Sequence, residues 1–202
     1  SAAPEALFHY AEGTGHLFAR SSWDRDAMWL AFVAGPYNES HAHQEQGGFT
    51  LFARDWLTVT ENIWTHSGIQ QGTETHNVLR FERGAPNGQV VRQREPSTSR
   101  MTVTPGAEGA LVVDADLSAA YGDNSPVQRW TRKLDFTGTR LRVDDDYRLA
   151  QDTKAVFQLN LPVEPKIDGQ TATAGGLRVR VVAPVGAHLS KLDWRSIDSG
   201  EY

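Results

Sequence analysis

The stretch Val127–Leu149, VQRWTRKLDFTGTRLRVDDDYRL, decides the fold class. Two runs that alternate apolar and polar residues, Val127 to Phe136 and Leu141 to Leu149, flank the turn cluster Thr137-Gly138-Thr139. A strand sends successive side chains to opposite faces, so its pattern has a period of two; a helix repeats every 3.6 residues. The segment reads as strand, turn, strand.

The same pattern recurs outward in both directions. Arg100 to Thr104, Ala110 to Leu117, Ala155 to Leu161 and Leu177 to Ala183 are short and β-branched or alternating. Turn clusters such as Thr104-Pro105-Gly106, Ile167-Asp168-Gly169 and Gly175-Gly176 separate them. Nearer the N-terminus, Ala27 to Ala34 is an apolar run stopped by Gly35-Pro36, with the length of a buried strand, and Trp29 within it is expected in the core. Gly48 to Ala53 and Trp56 to Glu61 read as a hairpin turning near Ala53-Arg54-Asp55-Trp56, and Asn77 to Phe81 alternates like a half-buried strand. Neither a three-turn helix nor a βαβ alternation appears. The expected fold is all-β, a large antiparallel β-sandwich of curved sheets. No repeat or linker divides residues 1–202, so a single domain is expected. Leu7-Phe8-His9-Tyr10 and the closing residues from Asp193 both read as the interior of a sheet, so the chain is expected to be incomplete at both ends relative to a parent protein.

Composition narrows the function classes. With 39% hydrophobic and 22% charged residues, the chain is a soluble globular type with a substantial core. A net charge of -5 leaves no basic excess to drive binding to nucleic acid or to an anionic membrane. No apolar run approaches the roughly 20 residues of a membrane-spanning helix. With 0 cysteines, disulfides, thiolate nucleophiles and Cys-based zinc sites are excluded. P-loop, GxGxxG, GxSxG and HExxH motifs are absent.

Chemistry concentrates in Ser40–Leu51, SHAHQEQGGFTL. On an extended segment His41 and His43 point the same way, the usual first half of a metal site with nitrogen and oxygen ligands. Glu61 closes the second hairpin strand and His76 opens the next, so pairing brings a carboxylate and a third imidazole toward His43. Three such ligands with an open fourth position suit zinc. A cupin-type metal site is the competing reading, but it wants a glutamate four or five positions after the second histidine, where Gly47 and Gly48 stand.

The segment Gly15–Phe81 resembles the C-terminal domain of the heparinase II/III-like polysaccharide lyases. The resemblance rests on Arg20-Ser21-Ser22-Trp23, the His41-Ala42-His43 pair running into Gly48-Phe49, the Trp56-Leu57 strand ending in a carboxylate, and His76-Asn77. It continues more weakly through Arg129–Arg132 and Phe157–Pro162. The resemblance implies an α/α toroid preceding the β-sandwich, and cleavage of uronic-acid polysaccharides by β-elimination. It implies a periplasmic or secreted, bacterial setting. It also implies that His41 faces the substrate cleft while His43, a strand-end carboxylate and His76 hold a chiefly structural zinc. Two positions depart from the family pattern: Glu45 stands where Asp is usual, and the zinc carboxylate is Glu61 only if Thr60 is not its counterpart. The toroid carries the family's acid/base tyrosine, so this chain alone is expected to be inactive.

β-Elimination removes the C5 proton of a uronate and expels the 4-linked sugar, which requires neutralisation of the carboxylate, a base and an acid. Histidine suits the first task because its unperturbed pKa lies near neutrality. The alternative function is a non-catalytic carbohydrate-binding sandwich that stacks sugars on exposed rings. Trp64, with Arg20 and His66 nearby, is the expected sugar contact. The run Asp144-Asp145-Asp146 reads as a solvated edge, and Arg129 and Arg132 fall on opposite faces of their strand.

Overall fold

A computed structural model of the chain describes residues 6–38, 42–60, 71–84 and 88–196. In chain order the first strands are β1 (Phe8–Ala11), β2 (His16–Arg20), β3 (Trp29–Val33), β4 (Pro36–Tyr37), β5 (Phe49–Ala53) and β6 (Asp55–Trp56). They are followed by β7 (Leu79–Arg83), β8 (Gln89–Val90), β9 (Ser97–Thr98), β10 (Arg100–Pro105), β11 (Leu111–Asp116) and β12 (Val127–Thr137). The last are β13 (Arg140–Leu149), β14 (Thr153–Phe157), β15 (Lys166–Asp168), β16 (Thr171–Ala174) and β17 (Leu177–Arg180). Helical structure among the described residues is confined to short 3-10 turns. The fold is all-β and antiparallel, as the sequence pattern requires.

Two sheets dominate, one ordered β1-β2-β3-β5-β6 and one ordered β10-β11-β12-β13, with β14-β7-β8 beside them. The alternation read in Val127–Leu149 is realised as the β12–β13 pair, with Leu134 opposite Val143 and Phe136 opposite Leu141. Leu17, Ala19, Leu30, Phe32, Phe49 and Leu51 line the inner face of the first sheet, and Val113, Ala115, Trp130, Leu134 and Phe136 that of the second. They belong to one buried cluster that also takes in Val78, Leu79 and Phe81. Phe81 meets Trp130 edge to face at 5.5 Å and Tyr121 at 5.3 Å, a geometry worth about 0.5–1.5 kcal/mol per pair beyond area burial.

Several expectations need correction. The second hairpin strand stops at Trp56 instead of reaching Glu61, because Leu57 and Thr58 both donate their amides to Leu51 and the ladder cannot continue in register. Trp29 is exposed, not in the core: the run Ala27 to Ala34 obeys the strand period, so Leu30 and Phe32 turn inward while Trp29 and Ala31 turn out. The Asp144–Asp146 run is not simply a solvated edge. Asp145 faces inward, where it accepts from Trp130 Nε1 at 2.7 Å and from Arg132 Nε at 2.8 Å and Nη2 at 2.8 Å. Arg132 is fully buried, and a buried guanidinium of this kind requires such a bidentate partner.

Candidate functional site

His43 lies in the loop between β4 and β5, and three glutamines fix that loop. Gln46 Oε1 accepts the Gly35 amide at 2.9 Å, and Gln93 Oε1 accepts the Gln46 amide at 2.9 Å. Gln93 Nε2 donates back to the Gln46 carbonyl at 2.9 Å, while Gln44 Oε1 accepts the Gln93 amide at 3.1 Å. Gly47, at φ +83°, turns the loop into β5. A Cβ there would lie 2.6 Å from both Leu117 Cδ1 and Trp130 Cη2, so glycine is required by conformation and by space. The Gly47 carbonyl accepts from Arg132 Nη1 at 2.7 Å, which ties the loop to the second sheet.

His76 follows the 3-10 turn Thr73–Thr75 and is 1% exposed. Its neighbour Asn77 donates Nδ2 to the carbonyls of Phe49 (2.7 Å) and Val59 (2.9 Å) and accepts the Asn160 amide at 2.6 Å. Gln158 Nε2 donates to the His76 carbonyl at 3.0 Å. The backbone on either side of the imidazole is therefore pinned.

Within this frame His43 Nδ1 and His76 Nε2 approach to 3.2 Å. On its other side His76 Nδ1 contacts the Thr60 hydroxyl in a short hydrogen bond. Thr60 Oγ1 also lies 3.3 Å from the Thr75 carbonyl, and the tautomer that satisfies both contacts has Thr60 donating to that carbonyl and accepting from His76 Nδ1–H. That assignment leaves the Nε2 lone pair of His76 aimed at His43. Burial, reinforced by the neighbouring His43, pushes the His76 pKa down to about 3. Glu45 Oε2 lies 3.7 Å from His76 Nδ1, and burial raises the Glu45 pKa. Since His76 is neutral near pH 7, this contact is not an ion pair.

The donor set can be tested against zinc. Two tetrahedral nitrogen ligands at about 2.0–2.1 Å stand about 3.3–3.4 Å apart, close to the 3.2 Å observed between His43 and His76. Thr60 meets the far nitrogen of His76, the place from which a polar group would orient the imidazole if Nε2 held a metal. Two ligands fit; among the described residues no group of three or more His, Cys, Asp or Glu assembles. His41, Glu61, Trp64 and His66 lie outside the described residues. Arg20 is placed at the end of β2, its guanidinium 4.4 Å from the Trp23 ring and 4.1 Å from the Trp29 ring.

The sequence reading brought His43 and His76 together but missed Thr60 as the partner of His76; it gave Gln46, Gln93 and Gln158 no role and assigned Arg132 only to a strand face. Only for Thr60 was there a signal, its position at the strand-end site where a carboxylate was sought.

No protein-family profile matches the chain, and no curated protein matches it either. Solved structures do. A heparinase III gene product with methylated lysines aligns over 85% of this chain at a TM-score of 0.63 and 15% identity. A second heparinase III structure covers 90% of the chain and 43% of its own length, at a TM-score of 0.39 and 14% identity. The first alignment occupies 27% of that relative's length, so this chain spans about a quarter of it. In fold, the chain is similar to a part of that heparinase III.

Proposed function

We propose that this chain is the β-sandwich domain of a polysaccharide lyase that cleaves uronic-acid glycans by β-elimination, in a periplasmic or secreted setting. The observation that carries the reading is the orientated His43–His76 pair, 3.2 Å apart, on a fold shared with heparinase III. His43 and His76 supply two ligands to a structural zinc, and Glu61 supplies the third. Zinc at that position would cross-link the β4–β5 loop to the segment around residue 76. His41, two residues before His43, then faces the cleft and hydrogen-bonds the uronate carboxylate. That contact withdraws charge from the carboxylate and makes the C5 proton removable. The toroid of the parent protein contributes the tyrosine that takes this proton and returns one to the leaving oxygen.

Two measurements test the two halves of the reading. Elemental analysis of protein never exposed to chelator should find one zinc per chain, lost in His43→Ala; metal in neither protein removes the zinc assignment. With the toroid joined to this domain, polyuronates should yield the ultraviolet absorbance of unsaturated uronates. His41→Ala should lower kcat/KM about 10²–10⁴-fold, the usual contribution of a proton-handling side chain. No unsaturated product from any uronate polymer would end the lyase reading.

A further inference from the structure

The outer face of the first sheet is built from rings and cations. Residues paired across neighbouring strands share a face, so the registers define it row by row. Arg20 stands opposite Trp29, Trp29 opposite Phe52, and Phe52 opposite Trp56. The next outward row runs His9, Phe18, Ala31, Thr50, and the one beyond it Ala11, His16, Val33. Phe18 is 49% exposed, Trp29 40% and Trp56 56%, and Trp23 (42% exposed) folds over Arg20 from the connection after β2. Phe52 and Trp56 are held edge to face at 5.3 Å.

Rings that filled this domain's own core would not be accessible on it, and a face that merely kept the chain soluble would not carry them. Its charge is also distinctive. In a chain with a net charge of -5, these three rows contain one arginine, two histidines and no carboxylate. Two acids of the β2–β3 connection have partners of their own, Asp24 the Ser22 hydroxyl at 3.0 Å and Asp26 the Arg54 guanidinium at 2.7 Å. Arg20 is fixed between two indoles and donates Nη2 to the Asp24 carbonyl at 3.2 Å, so its charge is held in place without being neutralised.

We infer that this face is a binding platform for an anionic polysaccharide strand, with pyranose rings stacked on Trp29 and Trp56 and a sugar carboxylate drawn to Arg20. The two indoles sit two strands apart, a span of roughly 10 Å at about 4.8 Å per strand, the length of a disaccharide. One permanent cation beside several rings matches a polyuronate, with its single charge per sugar, better than a heavily sulfated chain. The inference takes its ligand class from the lyase reading and adds a surface to it that is separate from the histidine pair.

The test uses the 202-residue chain and defined oligosaccharides, followed by tryptophan fluorescence. A polyuronate hexamer should bind saturably, with affinity that falls as salt rises; a neutral hexamer of the same linkage should bind at least 10-fold more weakly. Trp29→Ala and Trp56→Ala should each weaken the polyuronate about 10-fold or more at unchanged far-ultraviolet circular dichroism. Equal binding of charged and neutral hexamers, or affinity indifferent to both substitutions, overturns the platform. So does concentration-dependent dimerisation abolished by Trp56→Ala with no glycan binding, which would make the face a protein interface. Unsaturated products formed at wild-type rate and KM by the toroid-joined Trp29→Ala and Trp56→Ala proteins would overturn the platform while leaving the lyase reading intact. Saturable polyuronate binding without elimination would uphold the platform alone.

Discussion

At the scale of single residues, His76 couples the site to pH. Its folded pKa of about 3 lies below the unfolded value of 6.5, so the unfolded chain binds a proton that the native chain refuses. Stability is therefore highest above pH 6.5 and declines as the pH falls toward 3, by up to about 1.4 kcal/mol per unit. Glu45 works in the opposite sense. Its folded pKa is raised above 4.5, so its contribution is present below that value and lost as the pH rises through the folded one. The two oppose each other from pH 4.5 up to the raised Glu45 pKa, where Glu45 blunts the His76 trend. The melting temperature of the chelator-treated protein should thus rise between pH 4.5 and 7. In His76→Gln that rise should be largely gone; an unchanged slope would mean that His76 is not the group responsible. The histidine pair was legible in the sequence because imidazoles are rare, although neither sits on a strand: His43 lies in the β4–β5 loop and His76 follows a 3-10 turn. Thr60 was visible in the sequence only as the competitor of Glu61 for the strand-end position; that its hydroxyl meets His76 Nδ1 is seen only in space.

At the scale of elements, the β4–β5 loop is positioned by a glycine and three glutamines rather than by a ladder. In the sequence Gln44, Gln46 and Gln93 look like solvent-facing polar residues, since nothing local reveals that residue 93 returns to residue 46. Periodicity reads strands well wherever a ladder sets the conformation, as in β12 and β13. It fails where other bonds replace the ladder: Leu57 and Thr58 both donate to the Leu51 carbonyl and the Thr58 hydroxyl accepts the Leu51 amide, so the strand expected to run to Glu61 ends at Trp56. Gly47→Ala probes this element directly. The new Cβ meets Leu117 and Trp130 at 2.6 Å, and the backbone at φ +83° disfavours any side chain. The two effects together should cost about 2–4 kcal/mol, read as a lower urea midpoint at unchanged slope. A loss under about 0.5 kcal/mol would show that the loop can move away from Trp130, and the rigid presentation of His43 would fall with it.

At the scale of the whole molecule, stability is unevenly distributed. One cluster joins the first sheet, β7 and the β10–β13 sheet through Phe81, Leu134 and Trp130, so these elements should open together. The small β15-β16-β17 sheet is different. All three residues of β15 are exposed, and from the whole sheet only Ala174 is buried, without joining that cluster. Little apolar area is lost when these strands separate, so their local opening costs far less than global unfolding. Amides of Thr171–Ala174 that bond across the sheet should exchange with solvent at least about 100-fold faster than those of Val127–Thr137, under conditions where exchange reports opening equilibria. Adding denaturant should steepen the exchange of β12 amides with the slope of global unfolding and leave β16 nearly unaffected. Equal protection in both would place β15–β17 inside the cooperative core and would require a buried contact for them beyond Ala174.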